Sequence, residues 1–209
     1  MIIRPLSLNP LKRTQQKITI RDHKMTEIYK SPSQSITTIT ELMIPSYANF
    51  GGKVHGGIIL SLMDKVAYAC ASKHSGAYCV TVAVDGVEFL SPVEVGELVS
   101  LTASVHFVGN TTMIVNIQVE SLQPRTGLVK HTNSCYFTMA AKDENGKLTT
   151  VPGLKLENKE DLVQFCEAKS IRENSKINRA LLANDMQHLS VDEQIHFCDQ
   201  DRCLIQMQE

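Results

Sequence analysis

The pattern of hydrophobic and polar positions becomes regular at about residue 36. Residues 36–45 are rich in β-branched side chains and end at Pro45, which predicts a β-strand. From Ile58 to about Lys73 nearly every position is apolar, and a glycine follows at Gly76. A stretch that is hydrophobic on all sides and closed by glycine predicts a long, buried helix.

Four β-rich segments follow this helix and are separated by short polar breaks. The break at Gly109-Asn110 is short enough to predict an antiparallel hairpin. One strand, one long helix and four consecutive strands predict an α+β fold, in which the helix packs on an antiparallel sheet of about five strands. The four predicted strands cover about residues 78–90, 97–108, 111–122 and 129–141.

The two ends of the chain differ from this central part. Residues 1–35 are basic, carry little periodic apolar sequence and predict a disordered extension, although a start at Met25 or a transit peptide within residues 1–20 is also compatible. Residues 36–155 then form one folded domain. Residues 156–209 predict a C-terminal helical extension, with amphipathic spacing over 157–186.

Charge and length restrict the possible partners. The chain has 209 residues, a net charge of -1 and no tryptophan, so it has neither the basic field nor the stacking residues of a typical nucleic-acid-binding protein. The longest apolar run, from Gly56 to Ala71, is too short and too polar at its centre to span a membrane. We therefore expect no nucleic-acid partner and no membrane insertion.

Cysteine usage predicts a cytoplasmic protein. None of the six cysteines forms a CxxC pair, and three lie in apolar runs, so all six are expected to be reduced. An organelle is the alternative location, if residues 1–20 act as a targeting segment. The histidines and cysteines of the tail match no common zinc spacing, so no metal site is predicted there; they are His188, His196, Cys198 and Cys203.

A carboxylate interrupts the predicted buried helix. Asp64 stands at its centre, and an ionised carboxylate is costly to bury without a partner. Ser61, Asp64 and Lys65 share one side of the helix, so one interpretation is a narrow solvent-facing stripe. The alternative is a carboxylate at a cleft or subunit interface that acts as a base or a nucleophile.

The start of the same helix suggests a site for developing negative charge. Gly56-Gly57 follows His55, and free N–H groups at a helix N-terminus can bind an oxyanion. A tight loop-to-helix turn would need the same glycines. His55 is a possible general base but has no visible orienting partner, and Cys70 lies in an apolar interior without activation, so neither is favoured as a catalytic group.

Several separated motifs follow one another along the central part of the chain. They are Ala48-Asn49-Phe50-Gly51-Gly52-Lys53-Val54-His55-Gly56-Gly57, Leu62-Met63-Asp64, Val80-Thr81-Val82-Ala83-Val84-Asp85, Phe89-Leu90-Ser91-Pro92-Val93, Lys130-His131-Thr132-Asn133 and Val151-Pro152. In content and order these motifs resemble the hotdog-fold acyl-CoA thioesterases of the cytosolic, or brain-type, acyl-CoA hydrolase family, and the resemblance covers about residues 36–175.

The resemblance implies a fold, an assembly and a reaction. The fold is a long helix wrapped by a curved antiparallel sheet, and members form dimers or trimers of dimers with active sites at the dimer interface. The expected reaction is hydrolysis of medium- to long-chain fatty acyl-CoA to free fatty acid and coenzyme A, without a cofactor. Asp64 would be the catalytic carboxylate of one chain, while Asn49 and the Gly57 N–H of its partner would polarise the thioester.

Contacts to coenzyme A are expected by analogy with the family. The candidates are His55, Gly56, Gly109, Asn110, Thr111, Thr112 and Lys130. Two other functions are compatible with a hotdog domain. One is a hydroxyacyl-thioester dehydratase, for which His55 stands in the wrong element, and the other is a non-catalytic acyl-CoA-binding regulator, for which residues 1–35 lack two periodic helices.

Overall fold

The structure is a computed structural model, and it describes residues 28–198 except for the side chains of 182–188 and 197–198. Five antiparallel strands form one sheet in the order β2-β4-β5-β6-β3, so β2 and β3 are the edges of the described sheet. The strands are β2 (Thr37–Leu42), β3 (Tyr78–Phe89), β4 (Leu98–Val108), β5 (Thr112–Gln123) and β6 (Leu128–Lys142). The predicted α+β class and strand count are confirmed.

Helix α1 (Gly56–Ser75) crosses one face of this sheet. It begins after His55, whose Nδ1 accepts a hydrogen bond from the Gly57 N–H, and it ends at Gly76, whose φ of 70° is the left-handed conformation common after helices. Its sheet-facing side joins the strands in one continuous core; the helix contributes Ile59, Leu62, Met63, Val66, Ala67, Cys70 and Ala71.

The prediction that α1 is buried on all sides is wrong for the single chain. A strip of the helix faces away from the sheet and is exposed; it comprises Gly57, Leu60, Ser61, Asp64, Lys65 and Tyr68. These positions recur every three or four residues, which places them on one face. Because that face mixes apolar side chains with a carboxylate, it differs from an ordinary solvated stripe.

Helix α2 (Lys159–His188) covers part of the opposite face of the sheet, and α3 (Val191–Cys198) follows it. Phe165 and Ala168 of α2 pack against Phe107 and Ile114 of the sheet. The Arg172 guanidinium lies 5.2 Å from the centre of the Phe107 ring, within the range of a cation–π contact. The predicted C-terminal helix is therefore confirmed.

The predicted disordered extension over residues 1–35 is wrong for its last eight residues, while residues 1–27 lie outside the described part. Strand β1 (Tyr29–Lys30) pairs in parallel with β7 (Gly153–Leu154). The Lys30 ammonium donates to the carbonyl of His74 at 2.6 Å, which satisfies the C-terminus of α1. Buried Ser35 accepts a hydrogen bond from the Val105 N–H of β4 at 2.9 Å. These contacts are long-range, so composition alone did not reveal them.

Residues 28–198, as far as the structure describes them, contain neither a candidate membrane-spanning helix nor a candidate metal site. No described helix is long and apolar enough to cross a membrane. No group of three or more histidine, cysteine, aspartate or glutamate side chains in the same residues is arranged to hold a metal ion. Of the tail residues considered in the sequence, Cys203 lies beyond the described part, as do the side chains of His188 and Cys198.

Candidate active site

Asp64 lies halfway along the exposed strip of α1 and is bonded to the neighbouring edge strand. The Thr81 hydroxyl of β3 donates to Asp64 Oδ1 at 2.5 Å. One lone pair of the carboxylate is thereby fixed, while the side chain remains exposed in the single chain. The bond orients the carboxylate toward β3 without neutralising it, as a base or nucleophile requires.

An apolar groove of about 490 Å³ runs beside Asp64. Asp64 is the one polar side chain among its lining residues, which also include Leu60, Val84, Val87, Phe89 and Phe137. Apolar walls with a single convergent polar group are typical of a binding site for a small, largely hydrophobic molecule. The groove can therefore hold a hydrocarbon chain with its reactive end near the carboxylate.

Asn49 lies in the loop before α1 and has a structural role there. Its Oδ1 accepts hydrogen bonds from the N–H groups of Gly51, at 2.8 Å, and Lys53, at 3.2 Å. The carbonyl side of the amide is thus bound within the loop, which leaves the Nδ2 group to act as a donor. Asn49 lines cavities with His55 and Gly56, but the groove beside Asp64 does not include it.

The helix N-terminus differs from the predicted arrangement. The Gly57 N–H, expected to bind the substrate carbonyl, already donates to Nδ1 of His55 at 2.8 Å. A neutral imidazole that accepts at Nδ1 carries its proton on Nε2, so the ring presents an N–H outward. His55 therefore caps α1, and the Gly57 N–H becomes available only when the ring turns away.

The residues predicted to contact coenzyme A do not form one site within a chain. The Gly109–Thr112 hairpin lies near the C-terminal end of α1, where Asn110 and Ser75 line the same cavity. Lys130 lies near the other end, where its ammonium donates to the Pro92 carbonyl at 2.7 Å. The twenty residues of α1 span about 30 Å, so the two groups of one chain cannot hold the same phosphate.

Lys130 is also engaged in an ion pair, which the sequence did not reveal. Its ammonium lies 3.0 Å from the carboxylate of Glu97, which is 4% exposed and also accepts from the Glu94 N–H at 3.0 Å. Burial opposes ionisation of Glu97, but the Glu94 N–H and the Lys130 ammonium outweigh it and hold the pKa of this carboxyl below its usual value. Lys130 therefore has a structural partner within its own chain.

We expect Lys130→Met to destabilise the fold by about 3 kcal/mol at neutral pH, because it leaves a buried carboxylate unpaired. Because the folded pKa of Glu97 is depressed, the pair stabilises the fold above the unfolded pKa, and this contribution is lost as pH falls through the folded value. In urea unfolding, the difference in the free energy of unfolding between variant and wild type should disappear below about pH 4. Lys155→Met, in the exposed Lys155–Glu157 pair, is the control and should change little. A normal stability together with a raised KM would instead support the phosphate role.

The thiol considered in the sequence is inert. Cys70 is fully buried in the core, and this burial raises its pKa to about 12. A thiol with such a pKa is almost entirely protonated near neutral pH, and the thiolate is the reactive form. Cys70 is therefore a core residue.

The edge strand beside the site is long and apolar. Strand β3 has twelve residues, and on its free side no described strand pairs with it. It exposes Tyr78, Val82 and Val84, and the Tyr78 ring lies 6.0 Å from that of Tyr68 on the exposed strip of α1. An unpaired apolar edge of this length is a surface on which another chain can add a strand.

Thr81 was not predicted as a site residue. It lies within one of the motifs that resemble the family, but no role was expected for it. The available signal was a hydroxyl in an otherwise apolar strand that had to pack beside the helix carrying Asp64. The packing of β3 beside α1, which brings Thr81 and Asp64 together, becomes evident only in the folded chain.

Known sequences that are similar to this chain include acyl-CoA thioester hydrolases. A family model described as the thioesterase superfamily matches residues 51–128. The acyl-CoA thioester hydrolase YkhA of Bacillus subtilis is 30% identical over 148 residues, which cover 69% of this chain and 86% of that protein. Protein VdlD of Helicobacter pylori is 49% identical over 111 residues, covering 53% of this chain, and the chain spans 63% of the length of VdlD.

Solved structures agree in fold. An apo hexameric acyl-CoA thioesterase has a TM-score of 0.71 at 32% identity, over 74% of this chain and 99% of the other. The acyl-CoA hydrolase of Staphylococcus aureus, solved with butyryl coenzyme A and coenzyme A, has a TM-score of 0.70 at 27% identity, over 77% and 98%. Solved alanine variants of the S. aureus enzyme replace an asparagine, an aspartate fifteen residues later and a threonine seventeen residues after that.

Proposed function

This chain belongs to the thioesterase superfamily as one of its hotdog-fold acyl-CoA thioesterases, and on that premise we propose that it hydrolyses fatty acyl-CoA thioesters with Asp64 as the catalytic carboxylate. The observation that carries the proposal is the Asp64 carboxylate, held by Thr81 at the side of an apolar groove. A reactive carboxylate next to a hydrocarbon-sized groove suits an ester or thioester of a fatty acid.

The spacing of three side chains supports their roles. Asn49, Asp64 and Thr81 are separated by fifteen and seventeen residues, the same separations as the three positions replaced by alanine in the S. aureus hydrolase. The fold match covers nearly the whole length of that enzyme and 77% of this chain. We therefore assign to Asn49, Asp64 and Thr81 the positions of those three side chains.

The site is proposed to form between two chains. Asn49 and Asp64 of one chain line different cavities, although both would act on the same thioester. The unpaired edge of β3 and the exposed strip of α1 offer a surface for a second copy, and a similar thioesterase of known structure is hexameric. In a dimer or a trimer of dimers, Asp64 of one chain would face Asn49 and Gly57 of its partner.

In the proposed reaction, water attacks the thioester carbonyl carbon while Asp64 accepts the water proton. Negative charge develops on the carbonyl oxygen, and the donors for it are the Asn49 amide and the Gly57 N–H. The carbon–sulfur bond then breaks, and the proton held by Asp64 passes to the leaving sulfur. The products are a fatty acid and coenzyme A. Direct attack by Asp64, with an anhydride hydrolysed in a second step, would use the same groups.

His55 controls one of these donors in the proposal. Its ring accepts the Gly57 N–H, so a bound carbonyl oxygen would replace Nδ1 as the acceptor. Exchange of one acceptor for another leaves no buried donor unpaired at either stage, so little free energy is lost. His55 and Gly56 then border the substrate without taking part in proton transfer.

Substrate, cofactor and location follow from the same proposal. The apolar lining of the groove favours medium- to long-chain acyl groups, since each buried methylene contributes about 0.8 kcal/mol. Water is the only other reactant, so no cofactor is needed. A cytoplasmic location is proposed because a rat relative is named a cytosolic acyl coenzyme A thioester hydrolase.

The direct test is release of free thiol from palmitoyl-CoA and butyryl-CoA, followed with a thiol-reactive dye. We expect the purified chain to release thiol in proportion to its concentration, with kcat/KM above about 10⁴ M⁻¹s⁻¹ for the better substrate. Saturable binding of acyl-CoA without thiol release would identify a ligand-binding regulator. Absence of both binding and release would overturn the proposal.

Thr81→Val should lower kcat by about 10–100-fold with a smaller change in KM. The substitution keeps the shape of the side chain but removes the donor to the Asp64 carboxylate, and a hydrogen bond to a charged group contributes about 1.5–3 kcal/mol. Thr81→Ser keeps the hydroxyl and should recover most of the activity. Thr38→Val is the matched control, because Thr38 bonds to Thr102 on an exposed surface of the sheet. Equal rates for Thr81→Val and Thr38→Val would remove Thr81 from the site.

A further inference from the structure

Strand β3 changes the face it presents just before its end. The register between β3 and β6 shifts between Asp85 and Glu88, where Gly86 has a φ of 64°. Glycine adopts this left-handed conformation without strain, and an extra residue of this kind is a β-bulge. Strict alternation would place positions 84, 86 and 88 on one face. The bulge instead brings Val87 and Phe89 to the groove beside Val84.

The backbone that carries the Phe89 ring is held in place by its neighbours, while the residue itself is 54% exposed. Phe89 is paired with Asn133 of β6, and the buried Asn133 amide donates to the Glu88 carbonyl at 2.8 Å. The Leu90 N–H donates to the Thr132 carbonyl at 3.0 Å, so the backbone is fixed on both sides. The ring lies over the start of α1, where a Cβ on Gly56 would stand 3.2 Å from two ring carbons.

Phe89 is the residue common to two cavities. One is the apolar groove of about 490 Å³ that contains Asp64. The other is a cavity of about 370 Å³ whose lining is more polar and includes Asn49, Lys53 and Ser91. The ring thus stands where the hydrocarbon-lined space beside the carboxylate meets the more polar cavity.

We propose that Phe89 closes the acyl groove and sets the length of the acyl chain that the site accepts. The inference rests on the proposed acyl-CoA hydrolysis. An acyl chain that reaches the Phe89 ring has filled the apolar lining of the groove. A longer acyl chain must displace the ring, whose backbone is fixed at two points. Methylene groups beyond Phe89 therefore do not contribute to transition-state binding.

Two substitutions of Phe89 should shift chain-length preference in opposite directions. Phe89→Ala joins the two cavities, and the ratio of kcat/KM for palmitoyl-CoA to that for butyryl-CoA should rise by about tenfold. Phe89→Trp fills more of the groove, and the same ratio should fall by about tenfold. Leu148→Ala, at an exposed apolar side chain of the segment after β6, is the control and should leave the ratio unchanged.

A second readout does not depend on turnover. The chain contains no tryptophan, so the indole of Phe89→Trp is the only one, and its emission reports on the groove. Non-hydrolysable palmitoyl-CoA ether should shift this emission to shorter wavelength, whereas coenzyme A alone should not. A variant that is folded by thermal melting but shows no such shift would place Phe89 outside the acyl path.

The two proposals fail in different ways. Wild-type protein that releases no thiol from any acyl-CoA would overturn the proposed hydrolysis. Active wild type with the same palmitoyl to butyryl ratio in both Phe89 variants, or with ratios that move in the same direction, would overturn the role of Phe89 alone. If Phe89→Ala does not fold, Phe89→Leu provides the smaller side chain, and it should raise the ratio by a smaller factor.

Discussion

Asp64→Asn is expected to lower kcat by about 10²–10⁴-fold, the usual contribution of a general base. Asparagine keeps the shape of the side chain and the oxygen that accepts from Thr81, so the geometry of the groove should survive. What is lost is the charge that accepts the proton or attacks the carbonyl. The change should appear in single-turnover as well as steady-state rates of thiol release, while KM changes little.

The control for Asp64 lies one residue away. Lys65 is exposed on the same strip of α1, and Lys65→Gln should leave kcat within a small factor of wild type. Thermal melting should show both variants folded, because neither charge is buried in the single chain. Near-normal turnover of Asp64→Asn, with its effect confined to the melting temperature, would mean that Asp64 belongs to a solvated stripe.

Asn49 should have the second largest effect. Removal of one donor to a developing oxyanion costs about 10²–10³-fold in kcat. Asn49→Ala also removes Oδ1, which accepts from the N–H groups of Gly51 and Lys53, so its effect would combine chemistry with loop structure. Asn49→Asp keeps those two acceptor contacts and replaces the amide donor with a carboxylate oxygen, which cannot donate and carries negative charge.

The comparison of the two Asn49 variants therefore separates the two roles. If the amide polarises the thioester, Asn49→Asp and Asn49→Ala should both lose activity, and the melting temperature of Asn49→Asp should stay close to wild type. Retained kcat in Asn49→Asp, with loss only in Asn49→Ala, would assign Asn49 to loop structure alone.

The sequence was informative where local pattern determines structure. Strand and helix boundaries in the central domain agree with the structure within about three residues, because β-branched runs, Gly76 and the Gly109-Asn110 turn are local signals. The ordered segment 28–35 was missed because its order comes from β7 and the end of α1, which are distant in sequence.

The site was less predictable because its contacts are long-range. We expected the Lys130 ammonium and the Gly57 N–H to be free for substrate. Instead Lys130 forms an ion pair with Glu97, and the Gly57 N–H donates to the His55 ring. Neither bond has a sequence signature. The nearly continuous apolar sequence of α1 suggested a fully buried helix. In a single chain one strip of the helix is exposed, because a hydrophobic pattern does not tell whether the covering surface belongs to the same chain or to another copy.

A site built from two chains can be tested directly by mixing two inactive variants. Asp64→Asn and Asn49→Ala would be combined under conditions of confirmed subunit exchange, and thiol release measured. Random pairing gives mixed dimers in which one site carries both substitutions and the other carries neither. About a quarter of wild-type activity should return at equal concentrations. No recovery, with exchange verified by labelled subunits, would contradict a site shared between Asn49 of one chain and Asp64 of its partner.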